Sequence, residues 1–111
     1  WRRKLFLVEI YKDDKKPEND YFIRTFKQTC SEYDLVWHRD KKDRDIIVLE
    51  GEGWSLQKED QDPIELVKEN LYQVKAYQFH RLLKGTTDLK LKIWEKENTE
   101  SKTFFHQYEV N

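Results

Sequence analysis

Several common features are missing from this chain of 111 residues, and each absence closes a door. Cys30 is the only cysteine. An internal disulfide is therefore excluded, and a reducing compartment such as the cytoplasm is expected. No base adjoins Cys30 in sequence to make it a nucleophile. Net charge is nearly absent, at −1 from 21 Lys+Arg against 22 Asp+Glu. That balance argues against a nucleic-acid-binding domain, which is usually strongly basic, and against a polybasic membrane anchor. No apolar run approaches the ~20 residues of a membrane helix. Trp1-Arg2-Arg3-Lys4 leads into only a short apolar stretch, unlike a secretory leader. There is no Gly-rich loop before a helix to cradle phosphate, and no Ser-His-Asp order with a nucleophile turn. Glycine is scarce too, at three residues, so Asp-, Asn- and Lys-rich loops must do most of the turning.

What is present is charge and aromatic mass. Charged residues make up 39% of the chain, against about 25% in an average protein. Four Trp, six Tyr and six Phe supply the large side chains that let so polar a chain build a core. The length fits one domain spanning residues 1–111. Short β-rich segments dominate: residues 5–11, 21–26, 33–40, 45–49, 54–57, 64–67, 71–76, 79–83, 89–94 and 103–110. Leu89, Leu91 and Ile93 alternate with Lys90, Lys92 and Trp94, the pattern of a half-buried strand. Residues 13–19, with Pro17, read as a loop, and Gly51-Glu52-Gly53 as a tight turn. Many short strands with turns between them indicate an all-β sandwich or barrel. Residues 65–70 have too few apolar positions for a stable amphipathic helix.

The chemistry concentrates in His38-Arg39-Asp40 and His80. On a strand, His-x-Asp turns the imidazole and the carboxylate to one face, because side chains alternate with period 2. A second imidazole from a neighbouring strand would complete two nitrogens and one carboxylate around one point. This is the donor set of a mononuclear Fe(II), Mn(II) or Zn(II) site, and the facial triad of non-haem iron oxygenases. The competing reading is that His38 ends a strand and Asp40 opens a wet loop, since Lys41-Lys42-Asp43-Arg44-Asp45 follows at once. Arg39 and Arg81 should point away from the ligand face and make surface salt bridges. His106 alternates with Phe104 and Tyr108 and is a further ligand candidate or a packed histidine. Trp37, Trp54, Trp94, Tyr72 and Tyr77 are candidates for a pocket or for the core.

Residues 36–53 and 66–94 resemble the cupin superfamily of small jelly-roll barrels. The first cupin motif, His-x-His, then Glu, then a strand ending in Gly, is read here as His38-Arg39-Asp40 through Val48-Leu49-Glu50-Gly51-Glu52-Gly53. The second is read as Lys75-Ala76-Tyr77-Gln78-Phe79-His80, followed by Leu89 to Ile93. Asp40 stands where the second His would be, Arg44 where the Glu ligand would be, and Lys75 and Tyr77 replace Pro and Gly. The surviving set, His38, Asp40 and His80, is similar to that of 2-oxoglutarate-dependent oxygenases, which share the double-stranded β-helix. In those enzymes a basic residue beyond the last His holds the co-substrate. Lys90 has that offset but alternates against Leu89, Leu91 and Ile93.

The resemblance implies an all-β, cupin-like jelly-roll with a metal at His38, Asp40 and His80. Arg24, Arg44, Trp54 and Tyr72 are the ligand-binding candidates. The expected function is to bind or act on a small polar molecule, as an Fe(II)-dependent dioxygenase or with the metal as Lewis acid. Three alternatives stand beside it. One is a metal-free binding module for a sugar or nucleotide. Another is a sugar-nucleotide isomerase or epimerase with His as base. The third is an oligomerising domain without a site. A homodimer is expected, through residues 5–10 or 104–110, with no nucleic-acid or membrane partner.

Overall fold

Alternating burial along three neighbouring strands organises the molecule. In the computed structural model, which describes residues 10–97, β2 (Tyr21–Phe26), β3 (Asp43–Glu50) and β8 (Leu89–Lys96) lie side by side and antiparallel. Phe22 and Phe26 sit opposite Ile93 and Leu89, and Val48 and Ile46 opposite Leu91 and Ile93. All of these are buried. β1 (Tyr11–Lys16) and β6 (Leu71–Val74) complete a five-stranded sheet in the order β1-β2-β8-β3-β6. A second sheet, β5-β4-β7, faces it, with β4 Ser55–Lys58, β5 Ile64–Glu65 and β7 His80–Leu83. Adjacent strands distant in sequence, such as β2 beside β8, make this a jelly-roll rather than a meander. No helix long and apolar enough to cross a membrane occurs among the described residues.

The core runs along the space between the sheets, from Phe26 and Leu89 through Leu91 and Val48 to Phe22, Ile93 and Ile46. Trp54 has no exposed surface, donates its indole N–H to Thr87 O at 2.7 Å and packs beside Phe26. Gly51 and Gly53 turn the chain into β4 with φ of +145° and +80°, conformations that favour glycine. Gly85 lies against Glu52 and Trp54 with no room for a Cβ. Polar groups are set among and beyond these rows: Arg24 lies between Phe22 and Phe26 in the row of Leu91 and Val48, Arg44 precedes Ile46 by two residues, and His80 lies across from Lys58.

Two expectations need correction. Residues 13–19 do not begin as a loop: β1 runs to Lys16 and pairs with β2 along its whole length. It is a charged edge strand, and the alternation of Asp13 and Lys15 with Asp14 and Lys16 disguised it. Residues 33–40 do not form a strand. They hold one 3-10 turn, Glu32–Asp34, capped by Ser31 Oγ, which accepts the Tyr33 N–H, and then a single bridge at His38. A local side-chain cap wins over β propensity where no neighbouring strand is available. Of the expected strand at 5–11, Ile10 is a bend and Tyr11 opens β1. Residues 5–9, the strand at 103–110, His106 and most of the proposed dimer edges lie outside the described residues.

Candidate metal centre

His80 starts β7 and is buried at 5% exposure, while His38 lies on the long β2–β3 connection with a half-exposed side chain. Two backbone hydrogen bonds join them, His38 N–H to His80 O and His80 N–H to His38 O, both 3.0 Å. This single antiparallel bridge sets the rings 4.3 Å apart, centroid to centroid. Asp40, two residues past His38, falls on the same face. Its Oδ2 lies 3.1 Å from His80 Nε2, and its Oδ1 3.9 Å from His38 Nε2.

The protons on the two imidazoles follow from their other contacts. His80 Nδ1 is 2.7 Å from Gln78 O, and His38 Nδ1 is 3.0 Å from Val36 O. A carbonyl oxygen only accepts, so each Nδ1 donates and each Nε2 is the ring atom turned toward the Asp40 carboxylate. Asp40 Oδ2 is buried and makes no hydrogen bond. Its approach to His80 Nε2 is short enough, but the angle is wrong for an N–H to serve it. A buried, unsatisfied carboxylate oxygen is costly unless a cation meets it. One donor atom from each of the three residues lies within 4.8 Å of the others, a spread that bonds of about 2.1 Å to one ion nearly span. The donor set therefore fits a divalent metal, and the carbonyl-fixed Nδ1 atoms are the outer partners such a site needs.

The turn at 75–78 supports both halves. Gln78 N–H bonds Lys75 O, and Gln78 Oε1 accepts the Lys75 N–H, which fixes the carbonyl that orients His80. Tyr77, in a left-handed conformation at φ +64°, donates its N–H to Asp40 O at 2.7 Å.

Charge surrounds the triad. Arg44 Nη1 is 3.3 Å from Asp40 Oδ2, and its Nε and Nη2 both bond Glu95 Oε2. Burial pushes the Asp40 carboxyl up, but His80, Arg44 and His38 outweigh it and hold it below the usual carboxylate range. Arg24 forms a two-pronged pair with Asp13, at 2.7 and 2.8 Å, and stacks on Tyr11. Burial would raise Asp13, yet Arg24 holds it low.

Of the residues singled out from sequence, His38, Asp40, His80 and Arg44 are brought together, and Arg24 lies on the same inner face. Trp54 is not with them: it is core at the other end. Tyr72 points its hydroxyl at the β5 region, accepting the Val67 N–H and donating to Glu65 O. Lys90 lies on the outer face of β8, opposite in phase to buried Leu89 and Leu91. Burial raises the thiol of Cys30, which suits packing more than nucleophilic attack. Sequence reasoning missed Asp13 and Gln78. A carboxylate at even spacing on β1 was the only signal for the first, and a backbone carbonyl leaves none for the second.

No protein-family model matches the chain, and no curated protein matches it in sequence. Solved structures do match in fold. An RmlC-like cupin family protein with a double-stranded β-helix from Methanocaldococcus jannaschii superposes with a TM-score of 0.61 at 13% identity, over 93% of this chain and 92% of that one. The DMSP lyase DddQ from Ruegeria pomeroyi gives 0.58 at 12% identity over 73% of this chain. The Fe(II) form of HppE gives 0.55 at 19% identity over 78% of this chain. The chain spans only 41% of the lyase and 48% of HppE. The fold is thus the cupin double-stranded β-helix.

Proposed function

We propose that this cupin-fold barrel is a mononuclear metalloprotein. His38 Nε2, His80 Nε2 and an oxygen of Asp40 hold one divalent ion beside which a small polar molecule binds. The observation that carries this reading is the convergence of one donor atom each from His38, Asp40 and His80 within 4.8 Å, with each imidazole fixed by a carbonyl at Nδ1. Two nitrogens and one carboxylate suit Fe(II), Mn(II) or Zn(II). Such an ion would supply Lewis acidity, or oxygen activation if it is Fe(II). The chain does the rest. Asp40 stays ionised at neutral pH, so no proton competes for its oxygens. The buried His80 anchors the ion from the core side, and the half-exposed His38 leaves the approach from solvent. Arg44, paired with Glu95 and Asp40, and Arg24, paired with Asp13, set charged groups of both signs near the triad, surroundings that suit a small polar ligand. The Fe(II) reading draws support from the fold shared with HppE, and remains a proposal for this chain.

A second reading rests on Arg44. It occupies the place of the cupin Glu ligand and already gives Asp40 a positive neighbour, as a metal-free pocket for an anion would require. Anaerobic Fe(II) and Zn(II) titrations separate the two. The metal reading expects about one tightly bound equivalent, lost in His80→Ala and Asp40→Ala proteins that remain folded. No binding by wild type, with stabilisation by small anions instead, would replace it with the metal-free reading.

A further inference from the structure

Beyond the isolated bridge that presents the two imidazoles, the Tyr77 N–H to Asp40 O bond also joins the two segments, and side chains across the bridge add to what holds its register. The outer face of the same bridge supplies them. With His38 opposite His80, Trp37 falls opposite Arg81 and Arg39 opposite Phe79. Each guanidinium lies over the ring across from it: Arg81 4.7 Å from the Trp37 centroid, Arg39 4.2 Å from that of Phe79. The expected surface salt bridges of Arg39 and Arg81 are replaced by these ring contacts, with Arg81 Nε also donating to Gln57 Oε1. The aromatic and the cation exchange places between the two segments. That order discriminates between registers. A slip of two residues sets Trp37 against Phe79 and leaves Arg81 against Leu35 without a ring, or sets Arg39 against Arg81, like charge on like. A slip of one turns His38 outward.

We propose that Trp37, Arg39, Phe79 and Arg81 form a register clasp that fixes the separation and facing of the His38 and His80 imidazoles. They are positioning residues for the metal site and do not touch the ion. The metal role rests on the function proposed above, whereas the clasp itself is measurable without metal. Wild type, Trp37→Arg, the reciprocal swap Trp37→Arg/Arg81→Trp, and the milder Arg39→Gln are compared by amide hydrogen exchange at His38 and His80 in metal-free protein, and by Zn(II) titration. Trp37 is 40% exposed, so the substitution leaves the core intact. Trp37→Arg sets Arg against Arg and should speed exchange at both amides by about fivefold or more, with Arg39→Gln somewhat less. Zn(II) affinity should fall about tenfold in Trp37→Arg, and the swap should restore both readings to within about twofold. General loss of packing would not be repaired by the swap. Unchanged exchange in the single variants, or no recovery in the swap, overturns the clasp whether or not metal binds. Altered exchange with unaltered Zn(II) affinity overturns the positioning role. Failure of wild type to bind Zn(II) or Fe(II) overturns the metal reading, and exchange alone then judges the clasp.

Discussion

The two ends of this barrel are lined by the same strands and do opposite things. At one end Phe26, Trp54 and Leu89 close the space, and Gly85 lies against Trp54 so tightly that a methyl group does not fit. At the other, Arg44 and His80 are joined by Asp40 from a connection with little regular structure. The apolar end is rigid because nothing in it has an alternative partner. The polar end is held in charged pairs, and each pair has a member that could change partner. Stability should therefore reside at the first end and binding at the second, and substitutions can test how cleanly they divide.

The largest effect is expected at the closed end. Gly85→Ala forces a Cβ into Glu52 and Trp54 and should cost about 3 kcal/mol in chemical denaturation. The folded fraction should bind metal as wild type does. A large loss of affinity there would show that the ends are coupled. His80→Ala is the mirror experiment. Metal affinity should fall by more than about 100-fold in a calorimetric titration, since even outer-sphere changes cost 10–100-fold. A variant that still binds stoichiometric metal would remove His80 from the ligand set.

A smaller effect tests the charges beside the site. Asp13 is held below its ordinary value by Arg24, so its ionised form is stabilised by folding. That contribution is present above the unfolded carboxyl value of about 3.9 and is lost as pH falls through the lower, folded value. Thermal melts across this acid range should show a steeper loss for wild type than for Asp13→Asn. Parallel curves would mean that the pair adds nothing to folding. The smallest effect is expected at Arg44, whose charge opposes a dication across Asp40. Arg44→Gln should raise Zn(II) affinity about threefold. A drop would mean that Arg44 chiefly orients the carboxylate.

The closed end was largely legible in the sequence and the polar end only in part. Leu89, Leu91 and Ile93 alternate cleanly because the strand has one wet face, and β2, β3 and β8 fall where the pattern puts them. β1 escaped because an edge strand tolerates charge on both faces. Tyr33 to Trp37 read as a strand on β propensity, yet propensity cannot supply a neighbour to pair with. The His-x-Asp spacing needed only one bridged residue to take effect, so the triad came together although its strand did not. Trp54 reads as either a pocket or a core residue from sequence, because its burial depends on Thr87 and Gly85, far along the chain. The ring partners of Arg39 and Arg81 were encoded in two matching tripeptides but become visible only once those are aligned antiparallel.

The four-residue turn at 75–78 carries a consequence for how this barrel could change over time or be redesigned. Through Gln78 O it orients one imidazole, and through the Tyr77 N–H it fixes the backbone of the carboxylate. Side chains around it can be exchanged one at a time, but its length cannot, because one inserted residue would rotate both donors off their common point at once. Homologues that keep the site should therefore vary freely in the β2–β3 connection ahead of Trp37 and keep this turn at constant length.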